Sequence, residues 1–426
     1  MSILILNRGP LARRPYAEWL RGTPLPLVLL ASAASLKKTG EPLPEPGGSY
    51  VHTESVAGYE EGTELYERAL ELHQKYRFRY VVASQERDLE LAGRLRDTLG
   101  LTGQSEDSAL AFRDKLVMKR HAVRGGIPVA PHRSVDEPGQ LRDFATEQGL
   151  PVVVKPRDSA GSVGVRVLRT QDDVEGFIAD SRAWKLSSGQ RGVIAEGFVE
   201  GTMYHVDGIV LDGHVAAAWP SVYHFRPAEF AVDSGPCVDV ALDHDDPMNK
   251  RVMDFTEDVI HALPTPRHTT FHAEVFHTPD DRLVLCEIAS RNGGGLISVV
   301  LRTMFGVHLP EAWVRADCEL PVPLPRGGER LRPGRLAGEV VFLKRRGLVR
   351  AIPDRAPFGW VTGYETSLRP GMWSPGPKSS GDFMAAIVAH GDSRAQVEER
   401  LRRASDWFLD ALDLDTAADG PERSLR

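Results

Sequence analysis

Residues 153–165 read Val153-Val154-Lys155-Pro156-Arg157-Asp158-Ser159-Ala160-Gly161-Ser162-Val163-Gly164-Val165. The apolar run that starts at Pro151 predicts a buried strand delivering a lysine near its end. The small residues from Ser159 to Gly164 then predict a loop that turns back into a second strand, Val165-Arg166-Val167-Leu168. Small side chains let backbone N–H groups approach an anion closely, and a nearby ammonium neutralises it. No Gly-Lys-Ser/Thr opens a helix here, so this is not a Walker loop. Taken alone, the stretch reads equally as a plain Gly/Ser hairpin turn.

Two further pieces lie downstream. Glu274 sits in His272-Ala273-Glu274-Val275-Phe276, and Glu287 in Leu285-Cys286-Glu287-Ile288, with a short turn at Pro279-Asp280-Asp281 between them. The two runs predict an antiparallel hairpin with both carboxylates on one face. Side by side such carboxylates repel, unless a divalent cation lies between them. Mg2+ takes one or two carboxylates together with phosphate oxygens, which suits an ATP site. The alternative is a pair of solvent-facing glutamates on an edge hairpin. Directly after comes Arg291-Asn292-Gly293-Gly294-Gly295. An arginine there could clamp a carboxylate or a phosphoryl group bidentately. The glycines leave room for a ligand, or else form a flexible loop.

The chain around these pieces has 426 residues, enough for about three domains at roughly 150 residues each. Its net charge of −7 argues against a protein built to bind nucleic acid, which would carry clustered basic charge. No run approaches the roughly 18 apolar residues of a membrane helix. The stretch from Met1 to Arg8 is too short for a secretory core and lacks a basic leader. Cys237, Cys286 and Cys318 stand far apart with no CxxC pair, so a disulfide scaffold or zinc site is not expected, and a reducing cytoplasm is.

Strands and helices alternate in the first block. Ile3–Leu6, Leu27–Leu30 and Tyr80–Ala83 read as buried strands. Thr63–Tyr76 and Glu86–Leu99 read as helices from their apolar spacing. This order predicts a small parallel sheet covered by helices. A helix over Asp114–Arg124 opens the second block, and from Gly192 to Asn292 the signal is mostly β. Residues 319–335 are rich in Pro, Gly and Arg and read as a linker. Glu339–Leu343 and Leu348–Ile352 then read as a hairpin. A last helix opens at Ser393 with Gln396 in capping-box position, and beyond about Asp413 a frayed tail is expected.

In combination these motifs resemble the ATP-grasp superfamily of carboxylate–amine ligases, and within it the ligases that join L-amino acids into dipeptides. The resemblance runs from about residue 80 to 310. Phe112-Arg113-Asp114-Lys115 with Met118, then Gly126-Ile127-Pro128, is similar to the entry of the family's ATP-binding module. Lys115 and Lys155 then correspond to its two nucleotide lysines. Ser159, Gly161, Ser162 and Gly164 correspond to the glycine-rich loop that closes over the phosphates. Glu196-Gly197-Phe198-Val199 resembles the hinge between lobes, where main-chain groups meet adenine. Glu274 and Glu287 fit the paired magnesium ligands. Arg291 fits the arginine that engages the substrate carboxylate and acyl phosphate. Two positions depart from the family's pattern. Ala289 stands where a further metal-ligating Asn is common, with Asn292 close by. Met203 stands where an acidic residue often holds the ribose, a contact that Glu200 could supply.

The resemblance implies an α/β and α+β multidomain fold. A Rossmann-like N-terminal (pre-ATP-grasp) domain is expected over 1–111, and the small lobe over 112–195. The large lobe with the metal site is expected over 196–318, and a small β-rich C-terminal α+β domain over 336–412. It implies ATP and Mg2+ as cofactors, with Mn2+ as an alternative. Catalysis falls to Arg291 and Lys155, and the reaction forms an amide through an acyl phosphate. Alternatives are a carboxylase or purine-pathway enzyme using carboxyphosphate, and a nucleotide-binding regulatory protein without turnover. The expected partners are small molecules, neither nucleic acid nor membrane, and a homodimer is compatible with the sequence. Specificity is assigned to the Trp219–Asp243 segment, with Tyr223, His224, Phe225, Arg226 and Asp233. Either His224 or Arg226 could read a second carboxylate. His272 is expected to hydrogen-bond the metal carboxylate from the outside.

Overall fold

The computed structural model describes the chain except residues 181–183, 186–190, 226–234, 380 and 419–426. Arg226 and Asp233 therefore lie outside the described residues. Four strands open the chain: β1 (Ser2–Asn7), β2 (Leu27–Ser32), β3 (Tyr50–Val56) and β4 (Phe78–Ala83). They form a parallel sheet in the order β3-β2-β1-β4. β1 and β2 are buried along their whole length, as expected of strands covered on both faces. β3 is legible only in three dimensions. Its mixed Tyr-Val-His-Thr-Glu-Ser-Val composition reflects an edge position with partial exposure. The helices Thr63–Tyr76 and Glu86–Leu99 form as expected and bury Leu65, Ala69 and Leu72, and Leu89, Ala92 and Leu95.

A second sheet contains β5 (His132–Val135), β6 (Val152–Pro156), β7 (Arg166–Leu168) and β8 (Val193–Gly197), ordered β5-β8-β6-β7 with antiparallel pairs. Helices Pro138–Gln148 and Gln171–Ala179 supply Leu141, Phe144, Val174 and Phe177 to its core, which also holds Val152, Val154 and Val193.

The third sheet has eight strands. They are β9 (Thr202–Leu211), β10 (His214–Tyr223), β11 (Cys237–Ala241), β12 (Thr269–His277), β13 (Leu283–Ala289), β14 (Leu336–Leu343), β16 (Val361–Thr366) and β18 (Phe383–Gly391). Their order is β13-β12-β9-β10-β11-β14-β18-β16. A helix that the β-rich signal hid, Pro247–Ala262, is capped by the Asp246 side chain. Its Val252, Met253, Val259 and Ile260 cluster with Val206, Phe271, Ala273 and Val275 of the sheet. Each such fully buried apolar side chain contributes about 1.5–3 kcal/mol.

Two local expectations are corrected. The segments read as one hairpin go to different sheets. β14 lies between β11 and β18, whereas β15 (Arg346–Ala351) pairs with β17 (Trp373–Pro375) and β19 (Asp413–Asp415). Asp413–Asp415 is thus strand rather than frayed chain. Backbone pairing, which a polar sequence does not advertise, holds it there. The last helix, Arg394–Ala411, starts as expected, with the Ser393 hydroxyl accepting from the Gln396 N–H. Among the described residues no helix is long and apolar enough to cross a membrane.

Candidate active site

The site begins with one aspartate. Asp114 caps the helix Lys115–Arg124 by accepting from the Leu116 and Val117 N–H groups at 2.9 and 3.3 Å. The same carboxylate takes Arg157 Nε at 3.1 Å and Nη2 at 2.6 Å, which ties this helix to the chain just beyond β6. Lys115 is thereby fixed at the first turn. Its Nζ donates to the Ser159 carbonyl at 2.7 Å and lies 3.3 Å from Glu287 Oε2. One side chain links helix, small-residue loop and β13.

One turn further along, Lys119 is fully buried. Its Nζ donates to the Cys286 carbonyl at 3.1 Å and lies 3.3 Å from Glu196 Oε1. Lys155 Nζ reaches the other oxygen of Glu196 at 3.1 Å. Burial opposes ionisation of this carboxylate, but the two ammonium groups outweigh it and hold Glu196 below the usual range. Burial likewise opposes charge on Lys155, and Glu196 outweighs it and raises the lysine. Sequence reading had given Glu196 a main-chain role only. Lys119 was missed, although its spacing of four from Lys115 is a same-face signal.

β12 and β13 pair with Glu274 directly opposite Glu287. A register shift follows, because Val275 pairs with Leu285 and leaves Cys286 as the extra residue. Such a bulge re-aims side chains, and Leu285, Cys286 and Glu287 all line the same cavity. Burial disfavours the Glu287 anion, yet Lys115 and Lys155 bring its pKa down to about 2. Glu274 has gentler partners: the Tyr223 hydroxyl donates to it at 3.3 Å, and His272 Nε2 lies 3.6 Å away as an ion-pair contact. Burial pushes the Cys286 thiol up to about 12, so it is no thiolate nucleophile at neutral pH.

Glu274 and Glu287 belong to a polar seam across one face of the large sheet. Alternate residues along a strand share a face. From β13 to β14 the seam holds Glu287, Glu274 and His272, His205 and Asp207, Tyr223, Asp239 and Glu339. Asp207 binds His205 Nδ1 at 2.6 Å and His272 Nδ1 at 3.0 Å. Burial would discharge both imidazoles, but Asp207 and its neighbours carry His205 up to about 9 and His272 up to about 10. The atoms of these three residues lie within 4.8 Å of one another. Both Asp207 oxygens are already bonded, so ion pairing accounts for the cluster. The hydrogen bond expected from His272 to Glu274 is not formed: the two lie 3.6 Å apart, and His272 bonds Asp207 instead.

Two cavities meet over the seam. The first, about 610 Å³, is lined by Lys115, Lys155, Ser159, Ser162, Glu196, Phe198, Val199, Glu274 and Glu287. Glu200, Met203, Tyr223, His224 and Phe225 also border it. His224 pairs with Glu398 at 3.1 Å. The second, about 480 Å³, shares Ser162, Glu274 and Glu287 and adds Gly161 and Arg291. Gly164 lines neither. Arg291 Nε holds Glu86 at 2.8 Å, and Arg113 holds the other oxygen of Glu86 at 2.6 Å. Asn292 borders the second cavity, and its buried Oδ1 has no hydrogen-bond partner.

The Gly293–Gly295 turn lies closer to the protein than a flexible loop would. A Cβ at Gly293 would come 2.8 Å from Asp207 Oδ1. At Gly295, with φ +57°, it would come 2.2 Å from Glu339 Oε1. Backbone N–H groups of this turn satisfy the seam: Gly293 donates to Asp207 at 3.2 Å and Leu296 to Glu339 at 2.5 Å.

Residues 120–295 match the ATP-grasp domain model. An L-arginine-specific L-amino acid ligase of Bacillus subtilis is 27% identical over 237 residues, covering 55% of this chain and 56% of that relative. The match thus spans about half the length of the curated relative. An L-amino acid ligase structure from Bacillus licheniformis superposes with a TM-score of 0.74 at 15% identity, over 98% of this chain and 99% of that one. A 2-oxoglutarate carboxylase biotin carboxylase domain from Hydrogenobacter thermophilus, solved with MgADP and bicarbonate, superposes at 0.68 and 15% identity over 97% and 90%. Residues 120–295 thus match an ATP-grasp domain, and along its length the chain shares the fold of the L-amino acid ligase structure.

Proposed function

We propose that the protein is an ATP-dependent ligase that joins a small carboxylate, an amino acid in the first instance, to an amine and releases ADP and phosphate. The observation that carries this reading is the meeting of Lys115, Lys155, Glu274 and Glu287 at one cavity. Two ammonium groups beside two in-register carboxylates suit a polyphosphate with its divalent cation. Glu274 and Glu287 would hold Mg2+, or Mn2+ in its place. The unpartnered Asn292 Oδ1 fits a further oxygen donor, which offsets Ala289 at the usual position. When bound, the metal supplies charge neutralisation to the phosphate oxygens.

Lys115 and Lys155 carry the charge that faces the phosphates, and Ser159, Gly161, Ser162 and Gly164 form the loop over them. Phe198 and Val199, after the hinge residue Glu196, border the end of the cavity suited to adenine. Glu200 stands near Met203 to meet the ribose. A substrate carboxylate oxygen attacks the γ-phosphorus and the bond to the ADP oxygen breaks. The amine nitrogen then attacks the acyl carbon, phosphate leaves, and the amine proton is lost. Arg291 orients the carboxylate and stabilises its developing charge. Enclosing the acyl phosphate keeps water from hydrolysing it.

The test is ADP release across pairs of L-amino acids. Wild type should turn over with at least one pair, and Glu287→Gln should lose about 10²–10³-fold while retaining its circular dichroism spectrum. Near-normal turnover of Glu287→Gln refutes the metal assignment. Bicarbonate-dependent release without an amino acid marks the carboxyphosphate alternative. Nucleotide binding with no release under any condition marks the regulatory one.

A further inference from the structure

Buried carboxylates in this site are matched by cations that the chain itself supplies. Glu196 has Lys119 and Lys155, Glu287 has Lys115, Glu86 has Arg113 and Arg291, and Asp207 has two histidines. Glu274 lines the first cavity beside Glu287. Asp239 and Glu339 break the pattern. They stand opposite each other in register on β11 and β14, each about 3% exposed, and both border the second cavity. Among the described residues no lysine or arginine pairs with either. Asp239 Oδ1 is buried with no hydrogen-bond donor, its nearest cation being His205 Nε2 at 3.5 Å. Glu339 receives the Leu296 N–H and enters no ion pair among the described residues. Burial and the Asp239 charge push the Glu339 carboxyl well above its usual range. The two adjacent buried acids thus share a single countercharge, the His205 imidazolium that Asp207 also binds, and so small a balance costs stability unless a further cation arrives from outside.

The same cavity has Arg291 in its wall, and Trp19 and Phe225 as aromatic surfaces. We propose that Asp239 and Glu339 form a subsite for a positively charged group of the substrate, an ammonium or guanidinium, so that a zwitterion lies in the second cavity with its carboxylate at Arg291. This rests on the ligase reading above for the role of Arg291. The aromatic walls favour an organic cation over a bare metal ion, because they can cover its body and its positive charge.

Calorimetric titration tests the subsite on the full chain, with and without MgADP. The probes are L-alanine and L-lysine, each beside its fully N-acetylated derivative. At least one free amino acid should bind, and its acetylated form should bind about 30-fold more weakly or worse. Asp239→Asn and Glu339→Gln should each weaken the free amino acid by about 30-fold or more, with MgADP affinity unchanged within about twofold. Equal binding of acetylated and free forms, unaltered binding by both variants, or no binding of either amino acid overturns the proposal. So does Mg2+ alone occupying the site in an Asp239-dependent way. If MgADP fails to bind while the amino acids follow the expected pattern, the ligase reading falls and the cation subsite stands. If MgADP binds and the amino acids do not, the reverse holds.

Discussion

Replacing Glu196 by Gln removes the single negative charge that lies between two buried ammonium groups. Lys119 and Lys155 contact its two oxygens at 3.3 and 3.1 Å, with side-chain exposures of 0% and 7%. Lys119 is fully buried, and Lys155 reaches solvent only through the cavity it lines. Breaking a buried ion pair by removing one partner typically costs about 3–5 kcal/mol. Spread over an equilibrium constant, that is a loss of about two to four powers of ten. Hydrogen exchange read by mass spectrometry on peptides covering β6 and β8 reports the local unit directly. Protection there should fall by that amount, while peptides from β1 and β2 stay as they were. Adding Lys119→Met to Glu196→Gln should recover part of the loss, because one unpaired charge is then gone. A change in β6 and β8 protection of less than about threefold would refute the reasoning. It would mean that the two ammonium groups are solvated or uncharged in the folded state.

Two further outcomes follow from the seam. Gly295→Ala places a Cβ against Glu339 Oε1 at a φ of +57°, so we expect a loss of about 1–3 kcal/mol in chemical denaturation. Glu339→Ala in the same chain should return the steric part and leave the backbone part, and a cost below about 0.5 kcal/mol for the single change would contradict the close approach. His205 and His272 titrate in the folded state at about 9 and about 10, above the free value of 6.5. Their contribution is therefore complete below about pH 6.5 and drains away as pH rises to about 10. His205 alone accounts for on the order of 3 kcal/mol. The melting temperature should fall over that interval, and His205→Gln should flatten the slope; an unchanged slope sinks the imidazolium assignment.

Much of the fold was legible because local rules and tertiary demands agree there. The continuous apolar runs of β1, β2 and β4 need burial on both faces, and the helices Thr63–Tyr76 and Glu86–Leu99 carry apolar spacing that fits the sheet beneath them. Where the chain pairs by backbone alone, composition says little. β3 and β19 hold their places through ladder hydrogen bonds, and their side chains are largely polar. The hairpin expected at 339–352 failed for a related reason. Arg346 and Gly347 do not turn the chain back but begin β15, paired with Pro375 and Ser374, while β14 pairs with β11 and β18 instead.

The candidate site divides in the same way. Lys155, Glu274, Glu287 and the glycine-rich loop stand out in sequence because charges and glycines beside apolar strands call for an explanation. Regular pairing from the turn would have set Glu287 opposite Ala273; the bulge at Cys286 is what brings it opposite Glu274 on one face. Which cation meets which carboxylate could not be read from the sequence either. Lys119 and Glu196 are 77 positions apart and Asp239 and Glu339 are 100 apart; helix packing brings the first pair together and sheet order the second. Sequence by itself determined the chemistry available, namely the anions, cations and close-approach glycines, since those are properties of single residues and short spacings. Tertiary structure alone decided the charge balance, because Coulomb energy depends on distance and burial, and both are set by how the strands are ordered across the sheet.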